Sequence, residues 1–319
     1  MDDSLYVYPV ELPGNDYLGN NKKIWVSMGY EIKSWKEIFA KLLRPSRWKK
    51  DILILNFFEN MPLYNPKLLK FVIALAFLII ARLTTRKIVW IRHNFKPHEG
   101  LSNVYYKILL KVLDEISSTK IAHRNVPQLK IDKIVQHPLY DFDISFDSRD
   151  CVGENPVFMY FGVIKEYKGI PELVSKWPEN ISLNLYGKCS DAALTKRILA
   201  LLANNKQITW RNEFLARDEL NDLIAKADYV VIPHIDNSMI VSGAIFHAMS
   251  LGTNLLIKDS SFAQWCISKY PFIKTYNSDN IVDVISELDK TNHKELRTYV
   301  NNTNSPEVIK KEWSEVFNG

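Results

Sequence analysis

Ser242 and Gly243 open a run of helical spacing that Gly252 closes, and His247 lies one turn further on the same face. A serine to cap a helix, followed by a glycine that leaves the backbone bare, suits the binding of a phosphate. The first N–H groups and the helix dipole both favour an anion there. On these letters alone, an ordinary capped helix packing Ala244, Ile245, Ala248 and Met249 suffices. Proton chemistry could come from "HNFKPHEG", which sets His93, His98 and Glu99 just after a strand end. Glu59 in "NFFENMP" follows another strand, and Asp16 stands in the first loop. A histidine titrates near neutrality unaided, whereas a glutamate needs burial to do so. The three cysteines, Cys151, Cys189 and Cys266, show no metal-ligand spacing. An odd count with no secretion signal fits a reducing compartment, so the chain reads as cytosolic. No G-x-G-x-x-G opens the first helix, which disfavours a NAD-dependent dehydrogenase.

The elements that must carry these residues alternate. "LYVYPV" reads as a strand, Lys22 to Gly29 as a helix, and "YEIKSW" and "DILILNFF" as strands. A helix around Phe71, the strand "KIVWIRHN", a helix from Val104 to Ile116 and the strands "STKIAH" and "KIDKIVQHP" follow. Acidic, small and proline residues cluster from Asp141 to Pro156, as in a linker. The alternation restarts with "VFMYFG" and continues through "GIPELVSKW", "ISLNLYG", Ala192 to Ala203, "QITWRN", "RDELNDLIAKA" and "YVVIP". The Ser242 helix and "TNLLI" complete it. This pattern predicts two α/β halves, 1–150 and 151–319, each a parallel sheet covered on both faces. Ligands of such sheets bind where loops leave the carboxyl ends of the strands, so the site is expected between the halves.

Charge is uneven. Residues 1–150 hold 23 Lys and Arg against 16 Asp and Glu, and the remainder 18 against 20. A basic half could face nucleic acid or an anionic membrane, but the aromatic and glycine patterns of RNA-binding modules are missing. "LLKFVIALAFLIIARLTTRK" has an uncharged run from Phe71 to Ala81 between Lys67 and Lys70 on one side and Arg82, Arg86 and Lys87 on the other. That run is too short to cross a bilayer, which takes about 20 residues. It reads either as a buried helix or as an interfacial helix with cationic ends near residues 68–83.

Six segments, in order, resemble the GT-B glycosyltransferases, above all the family-four-like bacterial enzymes of capsule and exopolysaccharide synthesis. In the second half these are "YFGVIKEYKGIPELV", "LNLYGK" and "ITWRNEFLARDELNDLIAKADYVVIPHIDNSMIVSGAIFHAMSLGTNLLI". In the first they are "YPVELPGNDYLGNNKKIWVSMGYEI", "VWIRHNFKPHEG" and "IVQHPLYD". The resemblance implies two Rossmann-like α/β domains whose parallel sheets face a central cleft. The N-terminal domain would bind the acceptor and the C-terminal one the nucleotide sugar, with the extreme C-terminal helix packing back on the first.

By that resemblance, Gly162, Lys165, Lys168, Lys188, Phe214, Ser242, Gly243 and His247 hold the donor's diphosphate and nucleoside, a UDP- or GDP-sugar. A cation at Lys165 and Lys168 would stabilise the departing diphosphate. No metal and no cofactor is called for. Gly14, Asn15, Asp16, Glu59 and His93 fall on the acceptor side. Many relatives carry two glutamates eight apart; Met239 and His247 stand in those places. Their loss favours an inverting reaction giving a β-linkage, which needs a general base, with His98 or Glu99 expected. His247 could still bond a ribose hydroxyl or a phosphate, or be structural. The implied partners are a nucleotide sugar, an oligosaccharide or polyprenyl-diphosphate-linked acceptor and the anionic inner face of the cell membrane, with no nucleic acid. A sugar-nucleotide epimerase of the same fold and a catalytically silent partner of a polysaccharide assembly complex remain open alternatives.

Overall fold

The computed structural model describes residues 4–12, 15–94, 102–140, 155–235 and 240–319. The chain divides into two compact units. The first comprises the described residues up to Pro138, Ile240–Val241 and Asn304–Gly319, and the second the remainder. The junction expected near residue 150 lies outside the described residues.

The first unit is built on strands β1 (Ser4–Tyr8), β2 (Glu31–Ser34), β3 (Ile52–Asn56), β4 (Lys87–Ile91), β5 (Thr119–Ala122) and β6 (Lys133–Ile134). They form one parallel sheet in the order β2-β1-β3-β4-β5-β6. All five residues of β3 are buried, as a central strand covered on both faces must be. At the edge, "EIKS" in β2 keeps polar side chains toward water. Helix α1 (Asp16–Ser27) begins well before the expected Lys22, because Asn15 caps it: its Oδ1 accepts the Leu18 N–H at 3.0 Å. Helix α2 (Ile38–Lys41) follows β2, where no element was expected. Helix α3 (Lys67–Thr84) turns Ala74, Phe77, Leu78 and Ala81 into a core shared with Leu55, Phe58 and Trp90. Among the described residues no helix is long and apolar enough to cross a membrane. Helix α4 (Val104–Ile116) has the expected bounds.

The strand expected over "KIDKIVQHP" shrinks to two residues. After Val135 donates to the Ala122 carbonyl at 3.1 Å, the Gln136 N–H goes to Glu312 Oε2 at 2.7 Å, and the ladder stops. Glu312 belongs to α12 (Pro306–Asn318), which completes this unit's core. The fully buried Trp313 meets Trp25 of α1 edge-on at 5.1 Å and donates from Nε1 to Asn21 Oδ1 at 3.1 Å.

In the second unit the strands are β7 (Phe158–Phe161), β8 (Leu183–Tyr186), β9 (Ile208–Arg211), β10 (Tyr229–Ile232), β11 (Asn254–Lys258) and β12 (Lys274–Tyr276). Their order is β12-β11-β10-β7-β8-β9, all parallel. Chain order reverses direction between β7 and β10, which makes the crevice at their carboxyl ends the place for a ligand. The helices are α5 (Ile170–Lys176), α6 (Ala192–Leu202), α7 (Arg217–Lys226), α8 (Gly243–Ser250), α9 (Ser261–Lys269), α10 (Ile281–Ser286) and α11 (His293–Thr303). Apart from the extreme C-terminal helix, the elements after Ile257 go beyond those read from sequence. At the opposite, amino end of the sheet, buried Asp228 accepts the Val157 and Thr291 N–H groups, both at 2.9 Å. It thereby ties the starts of β7 and β10 to the chain before α11.

Candidate functional site

At the carboxyl ends of β7 and β8 two glycines meet. Gly162 has φ +123°, its N–H donates to the Tyr186 carbonyl at 3.0 Å, and a Cβ on Gly187 would lie 1.9 Å from the Gly162 oxygen. Only bare backbone allows that approach. The chain then makes a 3-10 turn over Glu166–Lys168 and enters α5 through Gly169 at φ +69°. A Cβ there would be 2.2 Å from the Pro233 oxygen, so the start of α5 is pressed onto the exit of β10.

That fit places Lys168. Its Nζ lies 2.9 Å from Nε2 of buried His234, the second residue beyond β10, and 5.1 Å from the centre of the Tyr167 ring. An ammonium can only donate, so His234 receives it through an unprotonated Nε2. Burial, with the Lys165 charge adding to it, lowers the Lys168 ammonium to a pKa of about 8. Lys165 itself is exposed. On the neighbouring strand exit, Lys188 reaches the Asn212 carbonyl at 3.5 Å, and its own carbonyl accepts the Ile164 N–H at 2.9 Å. Phe214, beyond β9, is 72% exposed, a ring face open for stacking.

Helix α8 starts at Gly243 after an extended Ser242, yet the Ser242 hydroxyl makes no capping hydrogen bond. The expected side-chain cap is therefore absent. The Ser242 carbonyl accepts the Ile245 N–H at 3.1 Å while its hydroxyl caps none of the N–H groups that open α8, and Gly243 is exposed, with only the Tyr140 hydroxyl close to where its Cβ would be, at 3.0 Å. His247 donates from Nε2 to Asn221 Oδ1 of α7 at 2.7 Å. Its ring stands edge-on to Phe161 and Tyr140, at 5.3 and 5.7 Å. In this arrangement the ring braces α8 against α7, with its Nε2 engaged inside the protein.

The first unit has its own constellation at the carboxyl edge of its sheet. His93, two residues past β4, donates from Nε2 to Asn56 Oδ1 at 3.3 Å and stacks on Phe57 at 4.0 Å. In the neutral ring Nδ1 is then the proton acceptor. Tyr17 of α1 touches His93, His123 and His137 at ring distances of 5.1, 5.1 and 4.8 Å. His123 and His137 donate from Nδ1 to the Val135 and Pro138 carbonyls, at 2.8 and 2.7 Å. Burial, then the neighbouring histidines, holds His93 and His137 well below the usual imidazole range, so both are neutral at pH 7. Glu59 is buried and accepts from Trp90 Nε1 at 3.0 Å. Burial raises its pKa, and the Trp90 bond and the Arg92 charge only partly oppose this. Asn15 spends its side chain on capping α1, and Asp16 stands in that helix's first turn. Gly14, His98 and Glu99 lie outside the described residues, as does Met239.

Of the expected donor set, Gly162, Lys165, Lys168, Lys188, Phe214, Ser242, Gly243 and His247 all lie on exits of β7, β8, β9 and β10 or on α8. His234 was not expected; its only sequence signal is a histidine directly after the strand-ending Pro233. His123 and His137 were missed similarly, each standing just beyond a strand in "KIAH" and "IVQH". Among the described residues no group of His, Cys, Asp and Glu is placed to hold a metal ion.

No protein-family model matches the chain, and no curated protein sequence is significantly similar to it. Solved structures are similar in fold. The Anabaena Alr3699/HepE structure in complex with UDP superposes over 100% of both chains, with a TM-score of 0.66 at 14% identity. The same protein in complex with UDP-glucose gives 0.64 at 14%. Sucrose-phosphate synthase (tll1590) from Thermosynechococcus elongatus gives 0.64 at 12%, over 100% of this chain and 98% of that one. A glycosyltransferase from Rickettsia africae ESF-5 gives 0.63 at 13%, over 99% and 97%. At such identities the likeness is one of architecture: the chain has the GT-B fold, with two parallel α/β sheets each covered by helices.

Proposed function

We propose that this protein is a glycosyltransferase that moves a sugar from a UDP-sugar to a hydroxyl of an acceptor. The observation that carries the reading is Lys168, a half-buried cation held against buried His234 at the switch point between β7 and β10, in the same unit as the start of α8. A diphosphate is the ligand such a place suits, since the lysine and the helix N-terminus both favour concentrated negative charge. That HepE was crystallised with UDP and with UDP-glucose supports a uridine donor over a guanosine one.

In this reading the second unit binds the donor and stabilises UDP as it leaves, with no metal ion. The first unit supplies the acceptor site and the base. The acceptor oxygen attacks the anomeric carbon, the base takes its proton, and the bond to UDP breaks with inversion, giving a β-linkage. Met239 and His247, in place of two glutamates, support inversion. Sequence resemblance supports a lipid-linked oligosaccharide acceptor in bacterial surface polysaccharide synthesis, on the anionic inner face of the membrane.

The test is calorimetric titration with UDP, GDP and a panel of UDP-sugars, followed by product analysis with each donor that binds. Binding of UDP and its sugars, with transfer or slow hydrolysis to UDP, is expected. Failure of every nucleotide to bind would end the reading. Release of an epimerised sugar without transfer would assign the epimerase reaction instead, and binding without turnover the silent partner.

A further inference from the structure

Helix α3 buries one side and leaves the other without a covering element among the described residues. Leu68, Leu69, Val72, Ile73, Ile79 and Leu83 are between 39% and 60% exposed. They recur at helical spacing, so they form one stripe opposite Ala74, Phe77, Leu78 and Ala81. The segment after α2 flanks the helix and adds an exposed leucine of its own: Phe39 packs on the inward Phe77 at 5.9 Å, the Lys49 N–H donates to the Thr84 carbonyl at 2.9 Å, and Leu43 between them is 85% exposed. Isolated exposed leucines need no explanation, but a contiguous row on one face marks an interaction surface.

The charges around the row say what kind. Lys67 and Lys70 stand at one end, with Lys70 over the ring of exposed Tyr64 at 5.5 Å. Arg44, Lys49, Lys50 and Arg82 stand at the other. Residues 38–50 and 60–87 contain no Asp or Glu at all. A second copy of this chain is a poor occupant, because a two-fold interface sets each patch against itself and would oppose cation to cation. An apolar stripe with cations and an aromatic at its ends matches a lipid surface: side chains sink among the acyl chains while ammonium and guanidinium groups stay at anionic headgroups. At 1.5 Å per residue α3 is roughly 27 Å long, so lying flat it brings both charged ends to the headgroup layer.

We infer that the outer face of α3, with the Leu43 turn, is a docking surface for a bilayer containing anionic phospholipid, on which α3 lies in the plane of the interface. This deepens the proposed function, resting on it for the meaning of the contact: a transferase seated there would meet an acceptor anchored in the same leaflet. The docking itself requires neither donor nor acceptor.

The test is flotation of the full chain with vesicles of phosphatidylcholine alone and of phosphatidylcholine with phosphatidylglycerol, with UDP titration on the same samples. Binding to the anionic vesicles, release between about 0.1 and 0.5 M salt, and little binding to neutral ones are expected. Ile79→Glu and Leu43→Glu should each weaken vesicle binding by about tenfold or more. Charge reversal at Lys49 and Lys50 should do the same without touching the apolar row. Leu199→Glu, at an exposed leucine on α6, should leave vesicle binding as it was. Unchanged melting and UDP affinity in every variant separates loss of docking from loss of fold or of the donor site. Vesicle binding that survives Ile79→Glu and Leu43→Glu would overturn the inference, as would equal, salt-insensitive binding to neutral vesicles. A concentration-dependent dimer that Ile79→Glu abolishes would give the face to a second copy and overturn it too. Vesicle docking without UDP binding would leave the surface standing and remove the transferase reading.

Discussion

Lys168 sits where a cation is costly, largely out of water and beside another lysine, and His234 is the neutral base that receives it. An arriving diphosphate would replace that histidine with a far better partner. Lys168→Ala should therefore lower kcat by about 10²- to 10³-fold, measured with saturating donor. The acid–base state gives a second reading of the same residue. Only the ammonium attracts phosphate, so kcat/KM for the donor should fall as pH rises through about 8, and Lys168→Arg should move that fall beyond the measurable range. On the acceptor side, one of His98→Ala or Glu99→Gln should cut transfer by about 10² or more while UDP affinity, measured by titration, holds. Lys168 was named from the family resemblance of "GVIKEYKG", not from any local pattern of its own. His234 was not, since its role depends on the exit of β10 lying against Gly169, a proximity no local pattern encodes. Ser242 shows the converse: the right letter at a helix start, with a hydroxyl that caps nothing.

Strands buried on both faces write themselves as unbroken apolar runs, and this made β1, β3, β4, β7 and β10 readable in place, while β8 showed itself by alternation. Elements held by contacts distant in sequence were not. α12 was expected against the first unit from the resemblance alone, not from any pattern in its own residues; what holds it there is Trp313 meeting Trp25 and Asn21, and Glu312 ending the β6 ladder. β12, α9, α10 and α11 went unread, since their short amphipathic pieces carry no chemistry to flag them. Asp228 illustrates what such joints contribute. Asp228→Ala would strand the buried Thr291 N–H and release the part-buried Val157 N–H, both now satisfied by the carboxylate, and should cost about 1–3 kcal/mol in denaturant unfolding. Asp228→Asn keeps one acceptor oxygen and should cost less.

At the scale of the molecule, acid acts on the core of the first unit. An unfolded histidine takes up a proton near pH 6.5, whereas His93 and His137 in the first unit's core resist it until well below. Across that interval the unfolded chain binds more protons, so stability rises with pH there. It is complete above about pH 6.5 and is lost as pH falls, at about 1.4 kcal/mol per pH unit for each histidine. Chemical denaturation between pH 7.5 and 5, values chosen to bracket roughly that window, should show this slope, and replacing His137 with Asn should reduce it by about half. The two units differ in continuity. The core around Trp25 is closed by a helix encoded after the whole of the second unit. During synthesis the nascent first unit must wait, with the Trp313 niche on α1 unfilled, while the second unit emerges and folds. The order of maturation is then the reverse of the order of translation, and a released chain ending at Ser305 should show a protease-resistant second unit beside a first unit that is still digestible.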